Sequence, residues 1–202
     1  MSSHHFVKEQ QEPALLLLSI ENEDLKNLPD LLEWVPTVLV TQWNVHKIMS
    51  MGIKIDGIIA ESKFQEAHAH LLEEQHPVKF ITTNEQSFLE AAMNYLKESN
   101  HHAVNILSFD PLTSDLLVPY LADLDIVFFF NSTRYFPAKK GRINKWLPEG
   151  SIQVHGKDGQ FVEHHSPLGS TVFPIQYVTF IEVKEGMHHF SSNALFWLGT
   201  LT

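Results

Sequence analysis

Ala60-Glu61-Ser62-Lys63 sets a carboxylate and an ammonium two residues apart, directly after the apolar run Gly57-Ile58-Ile59. In α/β folds the residues just past a strand's carboxyl end form the ligand crevice, so this quartet decides which ions the crevice holds. A carboxylate suits a hard cation such as Mg2+, which takes oxygen ligands in near-octahedral geometry. An ammonium does the reverse, repelling a cation and attracting a phosphate or carboxylate. Two readings of Lys63 stay open: a metal-free anion site beside a helix start, or a solvated lysine on a loop.

These groups need a scaffold. Ala14–Ile20 is a short continuous apolar run, the mark of a strand buried on both faces. Leu25, Leu28, Leu31 and Leu32 recur at helical spacing before Pro36, and Thr37–Thr41 reads as a second strand. A helix over Asn44–Met51 stops at Gly52, and Gly57–Ala60 is strand three. Phe64, Ala67, His68, Leu71 and Leu72 stripe one face of the next helix. Val78–Thr82 is strand four, and Thr83 or Asn84 caps a helix whose inner face carries Phe88, Ala91, Ala92, Tyr95 and Leu96. Val104–Phe109, a partly helical Thr113–Leu124 broken at Pro119, and Ile126–Phe130 follow.

This alternation predicts an α/β domain with a mainly parallel sheet and helices on both faces. From Gly141 the texture changes to short Val-, Ile-, Phe- and Thr-rich runs between glycines. Ser151–His155, Phe161–Glu163, Thr171–Phe173, Tyr177–Val183, Met187–Phe190 and Ala194–Leu198 read as antiparallel strands, with Arg134–Gly141 as the joint. The expected domains are α/β over residues 1–138 and a small all-β sandwich over 139–202.

Composition narrows the function. Hydrophobic content of 44% and charged content of 19% fit a globular chain of 202 residues. A net charge of −10 argues against nucleic acid, whose phosphates need clustered Lys and Arg. Without cysteine there is no disulfide, thiol nucleophile or Cys-ligated zinc, which fits the cytoplasm. The longest apolar runs fall far short of the ~20 residues of a membrane-spanning helix. Acids follow Ala14–Ile20, so a buried strand is favoured there over a signal-peptide core. The 13 histidines include His4-His5, His101-His102, His164-His165 and His188-His189, but adjacent residues on a strand point to opposite faces. No metal site is expected from them, and no Walker or Rossmann glycine pattern occurs.

Gly52-Ile53-Lys54-Ile55-Asp56-Gly57-Ile58-Ile59 resembles the first signature of the thiamine pyrophosphokinases, Gly-Ile-x-Pro-Asp followed by an apolar strand and Gly-Asp-x-Asp-Ser. Ala60, Glu61 and Lys63 stand at the Gly, Asp and Asp positions, and Gln42-Trp43 replaces an Asp-Gly pair. Ser87-Phe88-Leu89-Glu90-Ala91-Ala92 is similar to a Thr-Asp-Leu-Glu-x-Ala core, with Phe88 in place of a metal-binding Asp. Thr113-Ser114-Asp115-Leu116 keeps only the acid of Arg-x-Asp-His. Gly186-Met187-His188-His189-Phe190 and Ser191-Ser192-Asn193 resemble the thiamine-recognising elements of the second domain, where an ordinary turn is the other reading.

The resemblance implies a dimer whose active site joins the first domain of one subunit to the second domain of the other. It implies cofactor contacts from Gln42, Asp56, Glu61, Lys63, Ser87, Thr113 and Asp115, and substrate contacts from His188, Phe190, Ser192 and Asn193. The matched catalytic positions Glu61, Lys63, Phe88 and Asp115 have lost their charged pattern, so no catalytic residue or metal ligand is assigned. The expectation is a catalytically impaired homologue binding thiamine, its diphosphate or a nucleotide. The alternative is an active enzyme taking ATP and Mg2+ on Glu61, Glu85, Asp110 and Asp115. A third reading fills the crevice with Trp43 and Phe88 and leaves an interaction protein.

Overall fold

A computed structural model describes residues 12–20, 26–83, 87–176 and 178–202. Leu25, Asn84, Glu85 and Tyr177 lie outside the described residues. The chain forms two compact units, residues 1–126 and 127–202.

In the first unit, strands β1 (Ala14–Leu17), β2 (Val38–Thr41), β3 (Gly57–Ala60), β4 (Lys79–Thr82) and β5 (Ala103–Leu107) line up in the order β5-β1-β2-β3-β4, every pair parallel. Every residue of β1, β2 and β3 is buried. Continuous apolar runs therefore replace alternation, because both faces of these strands are covered. Each Leu or Ile removed from water there contributes about 2 kcal/mol before conformational entropy is counted. The run after β1 does not stay extended: Leu18–Ile20 leaves the sheet. β4 is an edge strand, and its residues are only partly covered.

Helices α1 (Leu28–Leu32), α2 (Val45–Ser50), α3 (Ser62–Ala67), α4 (Leu71–Glu74) and α5 (Phe88–Glu98) connect the strands. The stripe Phe64–Leu72 does not make one helix. It breaks at His68, whose φ/ψ of −124°/30° leaves the helical region. Its ring stacks on Phe64 at 4.0 Å and its Nδ1 lies 2.9 Å from the Phe64 carbonyl oxygen. A side chain that bonds the carbonyl four residues back competes with the helix ladder. α5 is capped by Ser87, whose hydroxyl accepts from the Glu90 N–H at 2.9 Å, and not by Thr83. Its buried face is Ala92, Met93 and Leu96, while Phe88 and Tyr95 are only half-buried. Pro111–Tyr120 is a 3-10 segment that contains Pro119 without interruption.

The second unit takes over within β6 (Asp125–Phe130) and is antiparallel throughout. Strands β7 (Thr133–Pro137), β8 (Arg142–Leu147), β9 (Gly150–His155), β10 (Phe161–Ser166), β11 (Gly169–Pro174), β12 (Val178–Val183), β13 (Gly186–Ser191) and β14 (Trp197–Leu201) follow. One set runs β12-β9-β14-β7-β6 and a separate sheet runs β11-β10-β13-β8. Ile152, Val154, Val162, Phe190 and Leu198 share one core drawn from both. The expected joint Arg134–Gly141 is instead β7 followed by a turn in which Lys140 and Gly141 take φ of 56° and 70°. The last strand lies three residues later than its apolar run suggests, and Gly199 packs where a Cβ would come within 2.7 Å of Tyr135.

Candidate functional site

The carboxyl ends of the parallel strands are tied together by side-chain amides and hydroxyls. Thr41 Oγ1 and Asn44 Nδ2 both donate to the Leu18 carbonyl, at 2.9 and 3.0 Å. Lys47 Nζ donates to the Ile20 carbonyl at 3.0 Å. Gln42 is 5% exposed, and its Oε1 accepts the Glu61 backbone N–H at 2.9 Å. This bond stitches the end of β2 to the end of β3. Gln65 Nε2 donates to the Ala60 carbonyl and to Thr82 Oγ1, joining β3 to β4. Gln42 is thus a building element of the crevice. The hydrogen bonds of Thr41, Asn44 and Lys47 were not anticipated, and only their polarity beside a strand end hints at them.

Above this frame, Glu61 precedes α3 without a side-chain capping bond, and Lys63 is exposed. Neither makes an ion pair among the described residues. At six residues α3 is too short for a helix-dipole anion site, so Lys63 acts as a point charge. Trp43 is 69% exposed, and its ring centroid lies 5.9 Å from that of Phe88 at 51°. Phe88 is therefore a crevice residue and not part of the core. Trp43, Lys63 and Phe88 follow the ends of the adjacent strands β2, β3 and β4 in turn.

The other expected contacts separate. Asp56 sits at the amino end of β3, where Oδ2 accepts the Val38 N–H at 2.9 Å and Oδ1 pairs with Lys54 at 3.0 Å. Extended backbone at about 3.3 Å per residue puts Asp56 roughly 16 Å from Glu61. It lines a cavity of about 600 Å³ on the amino side together with Lys79, Tyr95 and His101. The polar groups there are already engaged: His101 with Ser99 and Thr37, Lys79 over the Tyr95 ring. Burial, then Lys79 and His102, lower the His101 pKa and keep its ring neutral.

Asp115 and Thr113 follow β5, three strand spacings and roughly 14 Å from β3. Thr113 Oγ1 donates to the Asp110 carbonyl, Asp110 Oδ1 accepts the Leu112 N–H, and Asp115 is exposed. Ser87 is occupied as the α5 cap. The topological switch of this sheet lies between β1 and β5, beside Ser108 and Asp110, and not at β3.

In the second unit, His188 and Phe190 point inward and are each 1% exposed. His164 Nε2 lies 2.8 Å from His188 Nδ1, and His188 Nε2 lies 2.8 Å from the Lys184 carbonyl oxygen. A carbonyl only accepts, so His188 carries its proton on Nε2 and takes the His164 N–H on Nδ1. The solvent-facing side chains of β13 are Met187 and His189. Ser192 Oγ donates to the Phe161 carbonyl and accepts from Gln160 Nε2, which makes it a turn residue. Asn193 is exposed beside it.

The residues at the matched positions do not fit a magnesium site. Phe88 offers no oxygen, the Lys63 ammonium repels a cation, and Asp115 belongs to a distant strand end. Among the described residues no three His, Asp or Glu side chains gather as metal ligands.

No protein-family model matches the chain, and no curated protein matches its sequence. Solved structures do match. The chain is similar to thiamin pyrophosphokinase from Bacillus subtilis at TM-score 0.66 and 9% identity, over 94% of this chain and 99% of that one. The enzyme from Geobacillus thermodenitrificans gives 0.64 and 10%, over 94% and 96%. That from Candida albicans gives 0.65 and 9%, over 93% and 88%. The chain has the thiamin pyrophosphokinase fold.

Proposed function

We propose that this protein binds thiamine, thiamine diphosphate or a nucleotide in the crevice at the carboxyl ends of β2, β3 and β4, and does not transfer pyrophosphate. One observation carries the reading. Where the resembling family sets acids, this crevice sets the Lys63 ammonium and the Phe88 ring, and Phe88 packs on the exposed Trp43. An exposed indole face accepts a planar or cationic ring by stacking, and the Lys63 ammonium after the neighbouring strand neutralises a phosphate. The fold shared with the thiamin pyrophosphokinases supports the ligand class. The sequence resemblance implies a homodimer, which sedimentation would reveal as twice the mass of the 202-residue chain.

The test follows AMP release from ATP and thiamine with Mg2+ while thermal midpoints are recorded with each ligand. Stabilisation without turnover is the expected result. Sustained AMP release would instead establish an active enzyme built on Glu61, Glu85, Asp110 and Asp115, and neither response would leave an interaction protein.

A further inference from the structure

Two cations of the second unit converge on one aromatic ring. The Arg134 guanidinium carbon lies 4.8 Å from the Phe136 ring centroid and 5.7 Å from that of Phe129. Lys145 Nζ lies 3.4 Å from the same Phe136 centroid. Arg134 and Phe136 alternate on one face of β7, and Lys145 comes from the half-buried side of β8, level with Ile143 and Leu147. Neither cation pairs with a carboxylate among the described residues. In a chain of net charge −10, acids to pair with them are plentiful, yet none is placed there.

Arg134 is exposed on β7, and Lys145 is half-buried on β8. Burial lowers the Arg134 pKa, while burial and then the neighbouring Arg134 lower that of Lys145. A half-buried ammonium is ordinarily either paired or turned to solvent. Here Lys145 occupies an inward strand position whose neighbours Ile143 and Leu147 are apolar. Cation–π contact offsets part of the desolvation, but it does not relieve the repulsion between two like charges. An oxyanion with several oxygens does both, since it accepts a forked pair from the guanidinium and a further bond from the ammonium.

We infer that Arg134 and Lys145, held by Phe136, form an oxyanion site that takes a phosphate or diphosphate group. The site rests on residues of the second unit alone and stands whether or not the crevice of the first unit binds a ligand.

Titration of the full chain with inorganic phosphate, and separately with inorganic diphosphate, tests this by calorimetry and by thermal midpoint, with sodium chloride at matched ionic strength as control. Saturable binding is expected, about tenfold weaker in Lys145→Met and in Arg134→Gln. Lys145→Met should also raise the thermal midpoint in phosphate-free buffer, because it removes the repulsion, while Lys145→Arg retains binding. Preference for diphosphate over phosphate would mark a ligand spanning both cations, and equal affinity a single phosphate group. If wild type shows no saturable binding, or if both charge-removing variants bind phosphate as wild type does, the cations are only a packing clamp and the inference is overturned.

Discussion

The crevice is decided by very few side chains. Gln42 matters because a buried amide holds the backbone of Glu61, the residue that starts α3. Gln42→Ala leaves that N–H without its acceptor and costs about 1–3 kcal/mol, which urea unfolding should show as a lower midpoint at unchanged slope. Trp43 is the opposite kind of residue, large, apolar and exposed, with Phe88 as a ring partner. Trp43→Ala should leave stability nearly unchanged while abolishing ligand-induced thermal stabilisation. A loss of stability without loss of binding would mark it as packing. Part of this was legible beforehand, since Lys63 and Phe88 stand where acids are expected. The place of Asp56, just before the strand Gly57–Ala60, already set it at the amino end, whereas nothing in the spacing reveals that His188 stacks inside a core.

At the scale of elements, Gly57–Ala60 was readable to the residue because its apolar run is buried on both faces. β8 was not. Its inward positions run Ile143, Lys145, Leu147, so a lysine on the Phe136 ring interrupts the alternation that marks a strand. The α5 cap was ambiguous because Thr83, Asn84 and Ser87 all carry capping groups, and only geometry selects Ser87. Ser87→Ala should cost about 1 kcal/mol, and Ser87→Asp should recover most of it. The turn after β7 is the most constrained point of the second unit. Gly141 has φ of 70°, and a Cβ there would collide with the Ser192 carbonyl oxygen, while the Gly141 carbonyl accepts the Ser192 N–H at 2.8 Å. Gly141→Ala should therefore destabilise the protein by about 2 kcal/mol or more. An unchanged unfolding midpoint would show that the turn relaxes.

For the whole molecule, two neutral histidines couple folding to pH. His101 in the first unit and His164 in the second are both lowered from 6.5, in each case chiefly by burial. Below 6.5 and above the lowered folded values, the unfolded chain binds more protons than the folded one. Stability therefore rises with pH through that window and is lost as pH falls beneath about 6.5. Thermal midpoints should drop between about pH 7.5 and pH 5.5, and replacing either histidine by Gln should flatten the curve. At this scale the two-part order of parallel then antiparallel strands was visible in the sequence, because glycine-punctuated runs replace helical stripes. The pairing order was not, since β1 and β5 become neighbours only through a crossover, with Ala14–Leu17 in register with Val104–Leu107, 90 positions on.

The central claim is that this crevice recognises its ligand without a metal. Calorimetric titration of thiamine diphosphate into the protein, once with Mg2+ and once with a chelator, tests it most directly. Equal affinity in both, lowered in Lys63→Ala, is the predicted result. Binding that appears only with Mg2+ and is indifferent to Lys63 would contradict the account.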